Sequence, residues 1–281
     1  MRAIATARPR LWRGLVWLLL AVFLLNLAGL IGSVVADSVA TQWFDTWFPA
    51  GFTLHWYVDA WKDFGISDLL VTTLQISLTV VVVDLLLGVP AAYVLARRDF
   101  PGKRVVLLAV LLPLVVPPMT YGIPLATALY TLRLGGSLPG VILANVVPTL
   151  PFVIIVLTPF IEQVDANLEA AARMCGANTW QVFRRVLLPL LGPGLLAAAI
   201  LVLIRTVSMF ELTFLTAGPT SQTLILSLYY AVFASGIRAP QSVDAMAVVY
   251  SLSTLVLLVI ALFFVNPTQV VSRAPAERET A

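Results

Sequence analysis

Long apolar runs, each closed by a short polar or charged stretch, dominate the chain. Six of them approach the roughly 20 residues that an α-helix needs to cross a bilayer. They cover about residues 15–35, 69–96, 105–129, 139–161, 190–215 and 245–265. The pattern predicts an all-α fold, a polytopic membrane protein of six transmembrane helices. Arginines precede the first run, as in a secretory leader. The length of that run and the lack of a small-residue cleavage site predict an uncleaved first helix instead. The third run carries Pro113, Pro117, Pro118 and Pro124, and the fourth carries Pro148, Pro151 and Pro159. Proline inside a helix frees carbonyls that lipid cannot satisfy. Kinked core helices packed around a pathway are therefore expected.

Composition agrees with this pattern. Of the 281 residues, 60% are hydrophobic and 11% charged, against about 25% charged in soluble domains, and the mean hydropathy is +0.98. The net charge of +3 is too small to point to nucleic acid. The lone cysteine, Cys175, excludes an intrachain disulfide and a cysteine metal cluster. The lone histidine, His55, lies in an aromatic segment and reads as a packing or surface residue.

The placement of charge sets the topology. Lys and Arg resist translocation and gather on the cytoplasmic side. With the N-terminus inside, thirteen of the 17 Lys and Arg are cytoplasmic, including Arg97, Arg98, Arg173, Arg184, Arg185, Arg273 and Arg278; Lys62, Arg133 and Arg238 lie outside. Both termini are then cytoplasmic. The tails cover 1–14 and 267–281, and a transmembrane core covers 69–266 with a cytoplasmic loop over 162–189. The external segment 36–68 combines Asp37, Asp45, Asp59, Asp63 and Asp68 with Trp43, Trp47, Trp56, Tyr57 and Trp61. It reads as an interfacial anchor, or as a docking surface for an external partner.

Catalytic chemistry is absent from the sequence. A phosphate-binding loop needs G-x-x-x-x-G-K-[ST]. The one Gly-Lys, Gly102–Lys103, is followed by Arg104, and position 97 is arginine. There is no HExxH, CxxC or GxSxG. The chain is expected to be no enzyme and to hold no cofactor, so energy from ATP would have to come from another subunit. Three ionisable residues, Asp84, Arg205 and Glu211, fall inside predicted spans, where charge is costly and functional by default. They are candidates for lining a pathway. Arg205 and Glu211, six apart, lie on different helix faces and are not expected to pair locally.

The long cytoplasmic loop has internal order. Leu168, Ala171, Ala172 and Cys175 share one helical face, and Glu169 and Arg173 form an i,i+4 pair. Gly176 suits the left-handed end of that helix, and Asn178 or Thr179 can cap a second one. Trp180, Phe183, Val186 and Leu187 give the second helix an apolar face.

This loop, "LEAAARMCGANTWQVFRRVLLP", resembles the EAA motif of permease subunits of binding-protein-dependent ABC importers. Nine residues separate Gly176 from Val186-Leu187-Leu188-Pro189, as in the motif. The glutamate, Glu169, stands one position ahead of the motif's slot, which here holds Ala170. "GVPAAYVLAR" at 88–97 resembles the end of the span before the family's first cytoplasmic loop. The resemblance implies that Glu169, Ala171, Ala172, Arg173 and Gly176 couple to the ATPase, a short helix seating in a groove of a cytoplasmic subunit. It further implies two ATPase subunits that bind ATP, a second permease identical or related, an external substrate-binding protein and a bacterial inner-membrane location. "FELTFLTAGPTSQTL" resembles the branch that serves polyamines, iron, sulfate or phosphonates, and Glu211 suggests a cation such as a polyamine. The competing classes are an ion-coupled secondary transporter and a non-transporting membrane scaffold.

Overall fold

The computed structural model describes residues 4–43, 46, 48–233 and 239–264, with side chains from Trp12 to Phe263 within them. Asp45, Trp47, Arg238, Arg273, Arg278 and the 267–281 tail lie outside the described residues. Among the described residues thirteen α-helices and one π-helical turn follow in order: α1 (Ile4–Ser38), α2 (His55–Asp63), α3 (Ile66–Arg97), α4 (Lys103–Val115), α5 (Pro118–Thr131), α6 (Leu138–Gln163), α7 (Ala166–Met174), α8 (Thr179–Val182), the π turn (Phe183–Leu187), α9 (Leu188–Leu190), α10 (Gly192–Val207), α11 (Glu211–Thr216), α12 (Leu224–Phe233) and α13 (Pro240–Phe264). Two residues, Ala40 and Phe52, form an isolated antiparallel bridge, and no strand occurs among the described residues.

Among the described residues, four helices are long and apolar enough to span a membrane by themselves: Trp12–Ser38, Ile66–Arg97, Leu138–Gln163 and Pro240–Phe263. The other two predicted spans are broken. In place of one kinked helix over 105–129, α4 and α5 meet at 102°. Val116 and Pro117 are both extended, and Pro118 opens the new helix. Two successive prolines remove two amide donors and force the residue before each out of the helical region. The predicted span 190–215 also divides. Thr179–Leu190 and Gly192–Val207 meet at 75°, and α10 stops at Val207 before α11 begins at Glu211. Thr206 and Ser208 each donate to the carbonyl four residues back, at 2.8 and 2.6 Å. Such bonds compete with the helix ladder and bend it.

The chain divides into two compact units. One comprises the segment up to Ile66 with 230–251. In it α2 is pinned to the end of α1: Trp56 Nε1 donates to the Ala40 carbonyl at 2.7 Å, and the Ser38 and Tyr57 hydroxyls lie 2.8 Å apart. The aromatics of the predicted external segment thus also fold that segment upon itself.

The other unit, Ser67–Tyr229 with the segment from Leu252, centres on α6. Val141, Ala144, Asn145, Thr149, Val153, Leu157 and Ile161 recur every three or four residues along it, all buried. Ile76, Val80, Val89 and Ala92 of α3 and Ala198 and Val202 of α10 join the same core. Gly88 of α3 lies flush against α6, since a Cβ there would stand 2.6 Å from Val153 Cγ1. Three buried hydroxyls are satisfied within their own helices: Thr73, Ser77 and Thr149 each donate to the carbonyl four residues back at 2.7 Å. Thr73 Oγ1 also accepts the Leu224 amide at 2.9 Å, serving the start of α12 from a distant segment.

Candidate coupling loop and translocation pocket

The loop between α6 and α10 contains two short helices joined at Gly176. Asp165 caps α7 by accepting the Asn167 amide at 2.9 Å. At the other end Gly176 takes φ +84°. Its amide donates to the Arg173 carbonyl at 2.9 Å, and the Ala177 amide donates to Ala172 at 3.1 Å. This is the paired Schellman closure that a left-handed residue permits. Asn178 then caps α8 reciprocally with Gln181, both bonds 2.9 Å. The predicted left-handed glycine turn is therefore present, with a capping box fixing the exit from it.

Beyond α8 the helix widens into the π turn, where the Leu188 amide reaches the Phe183 carbonyl five residues back. Pro189 follows immediately. Its ring would clash with the carbonyl four residues earlier in a regular α-helix, and the wider turn relieves this. The π turn also changes the face predicted for the second helix. Val182 and Leu187 are buried, whereas Trp180 is 64% exposed and stacks on Phe183 with centroids 5.9 Å apart.

Around α7, Leu168, Ala171 and Cys175 are exposed, as are Ala170, Arg173 and Met174, while Ala172 is half-buried. Met174 is 90% exposed. Glu169 is the exception, only 6% exposed. Its predicted partner Arg173 is not the group it pairs with. Arg97 Nε donates to Glu169 Oε1 at 2.9 Å, and the Tyr93 hydroxyl donates to Oε2 at 2.7 Å. Arg97 also donates through Nη2 to the Val164 carbonyl at the end of α6. A buried carboxylate held by two donors is far better satisfied than one facing water on a helix surface. Sequence reasoning counted Arg97 only as a cytoplasmic flank. Tyr93 and Arg97 are four residues apart on one helix face, and that spacing was the available signal.

The three intramembrane candidates fall in two places. Arg205, from the end of α10, and Glu211, from the start of α11, line one pocket of about 390 Å³ at the break between those helices, with Phe152, Leu201, Ile204, Ser208 and Met209. They form no ion pair with each other, in keeping with their spacing. The Arg205 guanidinium lies 5.6 Å from the centre of the Phe152 ring, a cation–π distance. Asp84 is elsewhere. It is fully buried at the α3–α6 seam, and neither carboxylate oxygen has a hydrogen-bond partner. Its polar neighbour Thr149 gives its hydroxyl proton to the Asn145 carbonyl instead. Asp84 does not line the Arg205–Glu211 pocket.

Comparison with known proteins bears on these features. Residues 85–266, more than half of the chain, match the binding-protein-dependent transport system inner membrane component family. A probable molybdenum ABC transporter permease protein of Haloferax volcanii is 32% identical over 247 residues, 85% of this chain and 86% of the relative. The trehalose transport system permease protein of Mycobacterium tuberculosis is 37% identical over 156 residues, 56% of this chain; the match spans 57% of that relative's length. In fold, the chain is similar to a bacterial ABC transporter involved in the import of alginate, with a TM-score of 0.74 over 90% of this chain and 96% of that one, at 21% identity. The chain is therefore a member of the family of inner-membrane, multi-pass permease subunits of binding-protein-dependent ABC importers.

Proposed function

We propose that this chain forms half of the pathway of an ABC importer, and that its cargo is a small tetrahedral oxyanion of the molybdate, tungstate or sulfate kind. One observation carries the choice of cargo. The Arg205 guanidinium lines the pocket at the α10–α11 break and is absent from the three ion pairs found among the described residues. A guanidinium presents a planar fork of donors that suits oxyanions. Glu211 on the same pocket counterbalances it. A conduit must hold its cargo long enough to admit it and weakly enough to release it, and an acid beside the arginine limits the grip. The polyamine suggested by Glu211 in the sequence fits less well, because a polycation would meet Arg205 in the same small space. Relatives for molybdenum and sulfate lend support.

On this reading one of two ATPase subunits seats against the exposed face of α7, and closure of the pair on ATP moves the loop. Glu169, Ala171, Ala172, Arg173 and Gly176 take part in that coupling. A second permease completes the pathway, and an external binding protein delivers the solute.

The test is uptake by proteoliposomes holding the whole assembly, ATP inside and binding protein outside. ATP-dependent accumulation of molybdate, tungstate or sulfate is expected, with none of spermidine. Arg205→Gln is expected to lower it by about tenfold or more, the value of one lost charge-assisted hydrogen bond. Unchanged oxyanion uptake in that variant overturns the assignment. Uptake of trehalose alone would favour a sugar, the reading that the mycobacterial relative supports.

A further inference from the structure

The contacts of Glu169 carry an inference that rests on the proposed importer function. In the sequence this glutamate reads as a contact to the ATPase. In the structure it is buried and its two carboxylate oxygens are taken by Arg97 and Tyr93, which are 72 and 76 residues away along the chain. Arg97 is itself the last residue of α3 and holds the carbonyl of Val164, the residue that closes α6. One side chain thus ties together the cytoplasmic ends of two spanning helices and the first turn of the coupling helix.

We propose that Arg97, Glu169 and Tyr93 form a latch that makes α3, α6 and α7 move as one body, so that force received on α7 enters the membrane through α3 and α6. The buried position of the latch favours this. An ion pair exposed to water contributes little and exchanges freely, whereas one that loses a partner while buried leaves an uncompensated charge. Opening it during each cycle would carry that penalty, so the latch stays closed and transmits motion. On the other side of α7 the connection is of the opposite kind. Gly176 and its Schellman turn form a pivot, and the π turn and the 75° bend follow before α10. Glu169 is therefore a positioning residue. The surface left for the ATPase is made by Ala170, Ala171, Arg173 and Met174, all exposed. The displaced glutamate of the motif is thereby explained: moved one position along a helix, it turns by about 100°, from the outward face to the inward one.

The experiment uses the reconstituted assembly in a Cys175→Ser background. Uptake per ATP hydrolysed is measured for Arg97→Cys, Glu169→Cys and the double variant, the last before and after bridging with a reducible bifunctional thiol reagent. Each single variant is expected to lose about tenfold in uptake per ATP, within the usual range of coupling energies. Bridging the double variant is expected to restore the ratio, and cutting the bridge with a reductant to abolish it again. A role in folding alone could not be switched on and off in an assembled complex. The latch is overturned if either single variant keeps the wild-type ratio, or if the bridged protein hydrolyses ATP without uptake. Absence of ATP-driven uptake in the unmodified protein would instead overturn the proposed importer function.

Discussion

At the residue scale, Gly176 and Glu169 show two ways in which a side chain can be dictated by its position. Gly176 has open space around its α-carbon, so any substitution there meets backbone strain and no collision. Its φ of +84° costs a β-branched residue about 1–2 kcal/mol, while asparagine adopts such angles more readily. Gly176→Val is expected to fray the end of α7 and lower uptake per ATP, with Gly176→Asn falling between it and the wild type. Hydrogen exchange at the amides of 176 and 177, which close the turn, checks the first effect. The glycine was legible in the sequence because its conformation follows from local geometry. The partner of Glu169 was not. Helical spacing offers Arg173, four residues on, and only the packing of α3 against the loop brings Arg97 closer. Local rules find local partners, and a buried carboxylate is decided by whatever the tertiary fold brings to it.

At the scale of elements, the four uninterrupted spans were read within a few residues from apolar run length alone. The two broken ones were not, because hydropathy integrates over a window and is blind to direction. A 102° bend at Val116–Pro117 leaves the mean hydropathy of the stretch as high as in a straight helix. The prolines announced a disturbance without saying that it would divide the span. The break at Ser208 carried still less signal, a serine and a threonine whose hydroxyls turn back on their own helix. The cap of α8 is the converse case: Asn178 three residues before Gln181 is a local signature, and the structure shows both bonds. Asn178→Ala removes the bond that its side chain accepts from the Gln181 amide, at a cost of about 1 kcal/mol. Limited proteolysis across 176–183 is expected to speed up in that variant, and an unchanged rate would mean that packing of Val182 and Leu187 holds α8 without its cap.

At the scale of the molecule, the orientation proposed for the chain rests on the distribution of Lys and Arg, which assigns thirteen to one side and three to the other. A fluorescent protein fused at the C-terminus is expected to glow, and alkaline phosphatase inserted within 48–54 to be active. The reverse pair of results would invert the topology and remove the loop from reach of any cytoplasmic ATPase. The candidate pathway residues were only half legible at this scale. Charge inside an apolar run marked Asp84, Arg205 and Glu211 alike. The fold then separated them, placing two on a shared pocket and the third in a packed seam between helices. Hydropathy detects that a charge is out of place, and only topology shows what it faces.

The exposure of Cys175, the only cysteine in the chain, makes it a reporter already in place. It is the C-cap residue of α7, directly before Gly176 and next to Met174 of the face proposed for the ATPase. A maleimide dye attached there would report occupancy of that surface with no engineered residue. Labelling is expected to be fast on the isolated chain and slow once the ATPase pair is seated. If ATP changes the labelling rate in the assembled transporter, the rate measures the fraction of the cycle that this surface spends uncovered, on the native sequence.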